Sequence, residues 1–448
     1  MTPRRRDLLV LLAAFVVLAG LAGPELLRPS RNNHFVHMAA GWLEGRVALE
    51  GTPPGYPRAH DDWGRVWTLS LRDGGSLRGD PCRTPECDQR RRAGVETWRP
   101  TVGMPAELPR REIVARASRW YVTFPPGPAL VMLPGVALWG LGFLDVLFTV
   151  LAGALIPVAL VRLLERVRGP AHLREHLWAA AAWTVASPAC FVAAHGNVWF
   201  TAQVLGSLAL VLYIDAAWDL RRPARAGLWL GLAVACRVSL AFAVIFAALE
   251  WWRDRRLVTA LRFVAPLVVI GGLLAWFNWL RFDDPLEFGH RYLDIRWQPR
   301  IQSFGVFSPH YLMRNLECML WLAPQVSPQL RWSVHGMGLL LASPWLLLLA
   351  RARTRFPQRR GLALAALAVA ATVLLYHNSG QVQFSYRFAL DFLPLVLVLL
   401  VVGGGARGRR FPALVLVAAV VQLYGAWMFG RAPGQLFMPD PWWPFAPE

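Results

Sequence analysis

The chain has 448 residues, 55% of them hydrophobic, and a formal net charge of +19. Its apolar runs repeatedly approach the ~20 residues that span a bilayer, which points to a polytopic α-helical membrane protein and excludes a β-barrel, whose strands would be short and alternating. All 47 basic residues are arginine, so lysine chemistry (P-loop, Schiff base, general base) is excluded and a side-chain cation for an anion must be arginine or protonated histidine.

The charge does not imply nucleic acid. The arginines fall mostly in short gaps between apolar runs, where they set membrane orientation, and no basic stripe with interleaved aromatics stands on a soluble domain.

Residues 1–27 carry a basic flank and then an apolar run. This is the first transmembrane helix, read as a signal anchor with its N-terminus in the cytoplasm. Residues 28–144 then form a long extracytoplasmic loop. Its start, 33–49, has the apolar spacing of an interfacial helix, and 80–109 reads as an irregular excursion rich in Pro, Gly, Arg and Glu. Cys82 and Cys87 form a C-x4-C pair; an exported loop could bond them, whereas zinc needs two further ligands. The run 129–143 is short and broken by Pro134 and Gly135, as in a re-entrant helix.

Residues 145–429 form the bundle. Spans are expected at 145–164, 177–194 and 198–218, with a tight turn at His195-Gly-Asn197. The segment 226–252 has arginines at both ends and Arg237 at its middle, so it should be two short helices meeting at that arginine. A span at 257–280 leads to a second outer loop, 281–335, and further spans follow at 336–350, 361–376, 392–402 and 411–429. An outer tail, 430–448, ends in interfacial aromatics. The expected architecture is an all-α bundle of about 11 helices, a single integral-membrane domain whose strongly basic short gaps all lie on one side.

The unusual polar residues collect on the outer face of this topology. His60, Asp61, Asp62 and Trp63 offer paired carboxylates, suited to a general base or to a divalent cation such as Mg or Mn beside a phosphate. Asn33, His34 and His37 lie just past the first helix, with the two histidines three apart on one helical face. Glu287, His290 and Arg291 would share one turn if their segment is helical. Tyr386 and Arg387 sit at a membrane boundary, and Arg387 and Asp391 have the spacing of an intrahelical ion pair.

Four patches together resemble the GT-C superfamily of bacterial integral-membrane glycosyltransferases, the protein mannosyltransferase-like group. They are the Pro-Pro segment Tyr121 to Pro128, Gly231-Leu-Ala-Val-Ala-Cys-Arg237, the stretch Asn278 to Gly289, and Tyr386 to Pro394. The resemblance implies a GT-C-like fold in a bacterial inner membrane, a polyprenyl-phosphate sugar donor, and transfer on the extracytoplasmic side. It also implies an acid in the first outer loop, usually just past the first helix. Here Asn32 and Asn33 stand at that place, and the nearest acids are Asp61 and Asp62. An inverting transfer needs a base at the acceptor hydroxyl and a cation at the departing phosphate. Asp61 or Asp62 would supply the first, and Arg237, Arg291 or Arg387 the second. Two other readings compete: a non-catalytic polyprenyl-phosphate-binding relative, and a lipid-linked glycan transporter, though no inverted repeat is evident.

Overall fold

The structure, a computed structural model, describes residues 2–55, 62–295, 297–440 and 443–445. The chain opens with helices α1 (Pro3–Ala22) and α2 (His34–Leu43). Next come β1 (Trp63–Leu71), β2 (Ser76–Pro81), α3 (Pro85–Arg92), β3 (Val95–Pro100), β4 (Ala106–Pro109) and β5 (Ile113–Val122). Helices α4 (Gly127–Trp139), α5 (Asp145–Arg168), α6 (Leu173–Val185), α7 (Ala189–Val192), α8 (Val198–Ala217), α9 (Pro223–Cys236), α10 (Val244–Asp254) and α11 (Leu257–Phe282) follow. The last part holds α12 (Gln298–Phe304), α13 (Leu312–Leu320), α14 (Leu339–Ala342), α15 (Arg359–Leu374), α16 (Leu393–Val402), α17 (Arg410–Arg431) and α18 (Pro433–Leu436). Two compact units result. One comprises Met1–Asn33, Leu144–Ile270 and Pro309–Pro447, the other His34–Phe143 and Gly271–Ser308, and the division falls within α11.

The first unit is helical. Five helical segments among the described residues are long and apolar enough to cross a membrane: Pro3–Leu27, Asp145–Arg168, Val198–Leu220, Leu257–Phe282 and Arg410–Arg431. α8 is the core helix, 83% buried, whereas the hydrophobic window of α11 is only 11% buried and exposes Val268, Val269, Leu273 and Trp276. A helix that shows this much apolar surface needs lipid as its solvent, and the chain is a multi-pass membrane protein.

Five segments of spanning length among the described residues do not by themselves confirm the expected bundle of about 11 helices. The run 177–194 breaks at Ser187-Pro188 into α6 and α7, and 336–350 contains only α14 and a 3-10 segment, Pro344–Arg351. Proline removes a backbone donor and clashes with the preceding turn, so the apolar run continues where the helix does not. The break at Arg237 is present: α9 stops at Cys236 and Arg237 is extended, with φ −148° and ψ 108°.

The second unit corrects the all-α expectation. Between α2 and α4 lies a five-stranded sheet in the order β4-β3-β2-β1-β5, every pair antiparallel. The segment 80–109, expected to be irregular, supplies part of β2, all of α3, β3 and β4. β1 runs the length of β5, from Trp63 opposite Val122 to Ser70 opposite Ala115, and Val66 and Leu69 are buried. The Asp73-Gly74 turn between β1 and β2 is a strong hairpin signal, with Asp73 accepting from the Gly75 N–H at 2.8 Å. α3 is specified locally. Thr84 caps its N-terminus, Pro85 opens it, Glu86 and Asp88 lie in the first turn and Arg90 to Arg92 in the last, all complementing the helix dipole. A disulfide joins Cys82 to Cys87, fixing α3 to the end of β2.

Two buried acids tie the sheet together. Glu96, fully buried, pairs with Arg91 at 3.3 Å and Arg116 at 3.0 Å. Asp80, also buried, sits 3.0 Å from both Arg99 and Arg291. Desolvating a carboxylate is expensive, and paired guanidiniums are what make such positions tenable.

Candidate functional site

The helical unit brings together three of the residues singled out in the sequence: Arg237, Tyr386 and Arg387. Because Arg237 leaves the α9 helix in an extended conformation, its side chain departs from the helical course. It reaches Asp391, with Nη2 to Oδ2 at 2.7 Å and Nε to Oδ1 at 3.1 Å. Ser239 Oγ donates to the same Oδ2 at 2.6 Å. Gly206 on α8 makes room: a Cβ there would stand 3.1 Å from Arg237 Cγ. Nη1 of Arg237 carries no hydrogen bond among the described residues.

Asp391 ends a 3-10 segment, Arg387–Asp391, just before α16. The sequence spacing suggested an Arg387–Asp391 pair, but at three residues per turn positions four apart do not stack. Arg387 turns instead to the Gly380 carbonyl at 2.9 Å and to Gln203 Oε1 at 3.0 Å. α8 holds this segment from the other side, through Gln203 Nε2 to the Arg387 carbonyl and Ser207 Oγ to the Leu390 carbonyl. Gln383 Oε1 accepts from the Arg387 N–H at 2.9 Å. Both guanidiniums approach the Phe388 ring, with Arg237 Cζ 5.2 Å and Arg387 Cζ 4.7 Å from its centre. Tyr386 is fully buried, and its hydroxyl makes no hydrogen bond among the described residues. The half-buried Arg237, with one unengaged guanidinium nitrogen, thus joins the buried Asp391, Arg387 and Tyr386, whose phenol is unengaged among the described residues.

A carboxylate that the sequence reading passed over also lies in this unit. Asp145, the first residue of α5, is buried and takes the Ser30 N–H at 2.7 Å and the Ser30 hydroxyl at 2.5 Å. The Asn32 carbonyl accepts from the Val198 N–H at 2.9 Å. These bonds fix the stretch just past α1, which ends at Asn33. Asp145 looked like an ordinary start to an apolar run, and no local signal marks its partner 115 residues away.

The sheet-bearing unit holds the remaining candidates. His34 stacks on Trp63 at 4.0 Å, and His37 meets the same ring edge-on at 5.9 Å. Burial lowers the pKa of His37 and favours its neutral form. Asp62 has a left-handed φ of 60°, and its carbonyl accepts from Thr123 Oγ1 at 3.1 Å. Asp61 and His60 lie outside the described residues. The expected helical turn through Glu287, His290 and Arg291 is absent: only His290–Tyr292 is a short 3-10 turn. Gly289, at φ 89°, begins that turn, and Glu287 accepts its N–H at 2.6 Å. Burial raises the pKa of Glu287. Arg291 is committed to Asp80 and to the Arg99 and Pro100 carbonyls.

The stretch from Asn278 serves first to anchor. Arg281 donates to the Val122 carbonyl at 2.5 Å and to Asn278 Oδ1 at 2.7 Å, while Arg78 pairs with Asp283 at 2.6 Å. Among the described residues no group of three His, Cys, Asp or Glu side chains is placed to hold a metal ion.

No family model and no curated protein matches the sequence. The structure is similar to two crystal structures of ArnT from Cupriavidus metallidurans, one in the apo state and one bound to undecaprenyl phosphate. Identity is 14% in both cases, with TM-scores of 0.47 and 0.48. The matches cover 92% of this chain but 61% and 62% of those chains, so it spans less than two thirds of their length. Likeness of this degree carries over neither an activity nor site residues.

Proposed function

We propose that the chain is a membrane glycosyltransferase that moves a sugar from a polyprenyl-phosphate-linked donor to an extracytoplasmic acceptor. The observation that supports it most is the half-buried Arg237, paired with the buried Asp391 and sharing the Phe388 ring with the buried Arg387. A guanidinium held by a carboxylate within an apolar bundle and still presenting an N–H suits an anion, and a lipid phosphate is the anion a membrane offers there. Arg237 Nη1 and Tyr386 Oη are donors still available to it.

In the reaction, the acceptor oxygen bonds to the anomeric carbon as the bond from that carbon to the phosphate oxygen breaks. The lipid phosphate leaves with the electron pair, and the acceptor proton passes to a base. Guanidiniums held at the phosphate stabilise the charge that develops on departure. Asp61 and Asp62 are the candidates for the base in this reading, and Asn33, His34, His37, Glu287, His290 and Arg291 for contacts to sugar or acceptor. A divalent cation at Asp61 and Asp62, if bound, would supply further positive charge at the phosphate.

Native mass spectrometry of the purified chain with undecaprenyl phosphate tests the cluster. Retained lipid that is lost in both Arg237→Gln and Arg387→Gln supports the reading. Equal retention by both folded variants removes the cluster as the phosphate site. Lipid binding without sugar transfer would instead favour the non-catalytic relative.

A further inference from the structure

The sheet-bearing unit contains a cleft of about 260 Å³, lined in part by Arg291 and lying apart from the Arg237–Asp391 pair of the helical unit in sequence and in fold unit. Its polar side is made by Arg99 and Arg291, its apolar side by Pro100, Pro105, Ile301 and Val306. Both guanidiniums lean on one carboxylate: Arg99 Nη2 lies 3.0 Å from Asp80 Oδ2, and Arg291 Nε lies 3.0 Å from Asp80 Oδ1. Asp80 is buried, so its single negative charge is spent between two cations.

Their hydrogen-bonding capacity is not exhausted. Arg291 uses Nη2 on the Arg99 and Pro100 carbonyls, both at 2.8 Å, and leaves Nη1 without a hydrogen bond among the described residues. Arg99 has a buried Nε with no partner, and its Nη1 also makes no hydrogen bond among the described residues. An arginine held rigid by a carboxylate and still presenting N–H groups is a preorganised anion donor.

The flanking segments add a second chemistry. The segments that form the cleft also expose Val102 at 68%, Met104 at 86%, Phe304 at 46% and Phe307 at 57%. Exposed apolar side chains on the same two segments as a cationic cleft with an apolar wall suit a ligand with an apolar body rather than a small hydrated ion. We infer that this cleft binds an anionic headgroup, phosphate or carboxylate, carried on an apolar chain. The inference stands on this unit alone and does not depend on sugar transfer.

Isothermal titration of the full chain in neutral detergent tests it with three probes: hexyl phosphate, inorganic phosphate and hexanol. The expected result is saturable binding of hexyl phosphate, at least tenfold tighter than either fragment. Arg99→Gln should weaken it at least tenfold. Val306→Trp, which fills the cleft and leaves both arginines in place, should abolish it. Arg237→Gln should leave it unchanged, which separates this site from the cluster in the helical unit. Thermal melting of each variant shows whether it is folded. No saturable hexyl phosphate binding, or parent-like binding in folded Val306→Trp, overturns the proposal. Equal affinity for inorganic phosphate overturns the apolar part of it.

Discussion

Arg237 and Asp391 are 154 residues apart in the chain and 2.7 Å apart in the fold. One stands where α9 stops, the other where a 3-10 segment meets α16, and Asp391 is almost wholly inaccessible. Breaking a buried pair leaves one charge uncompensated, at a cost of about 3–5 kcal/mol, whereas removing both charges is often close to neutral. Asp391→Asn should therefore lower stability by about 3 kcal/mol, and Arg237→Leu combined with Asp391→Leu should be less damaging than Asp391→Asn alone. Thermal melting in detergent measures both; additive losses would show that the pair is not the unit of stability.

Tyr386→Phe separates packing from binding. The ring is buried but its hydroxyl has no hydrogen-bond partner among the described residues, so its removal should leave the melting temperature unchanged or raise it. If the hydroxyl donates to a lipid phosphate, the same variant should bind undecaprenyl phosphate roughly tenfold more weakly, as expected for a lost bond to a charged group. A fall in stability with unchanged binding would reverse this assignment.

His37 predicts a pH dependence. Burial holds its folded pKa below the ordinary 6.5, so the unfolded chain takes up the proton first as the pH falls. Its contribution to stability is complete above about 6.5 and is lost as the pH falls through the lower, folded pKa. The parent should therefore lose more stability between neutral and mildly acidic pH than His37→Gln. Parallel melting curves for the two would count against a buried, neutral imidazole.

Much of the helical unit was legible in the sequence, and the reasons are physical. Apolar runs of bilayer length give α1, α5, α8, α11 and α17, and an arginine at the middle of an apolar segment marked the break after α9. The gathering of Arg237, Tyr386 and Arg387 was not legible, since it depends on long-range packing against α8 through Gln203 and Ser207. The sheet was missed because β2, β3 and β4 have six residues or fewer and lie between turn residues, while Arg and Ser interrupt the apolar alternation of the longer β1 and β5. Asp73-Gly74 was the signal available. The helical turn expected at Glu287 to Arg291 fails because Gly289 takes a positive φ there.

The Cys82–Cys87 bond makes a separate prediction about compartment. Under denaturing, non-reducing conditions an alkylating reagent should label three cysteines, Cys190, Cys236 and Cys318, and after reduction all five. Disulfides persist in oxidising compartments. Five labels without reductant, in protein purified from cells that export it, would argue against placing the sheet outside the cytoplasm.

Sugar transfer itself is the most direct test of the proposed activity. Purified protein in lipid nanodiscs would be given a labelled polyprenyl-phosphate sugar and a crude envelope lipid and glycan acceptor fraction, comparing the parent with Arg237→Gln, Asp61→Asn and Asp62→Asn. The proposal predicts label in the acceptor fraction with the parent. It also predicts a loss of at least a hundredfold in folded Arg237→Gln, in line with removing a donor that stabilises developing charge, and a comparable loss in one of the two aspartate variants. Transfer by folded Arg237→Gln at the parent rate would contradict it.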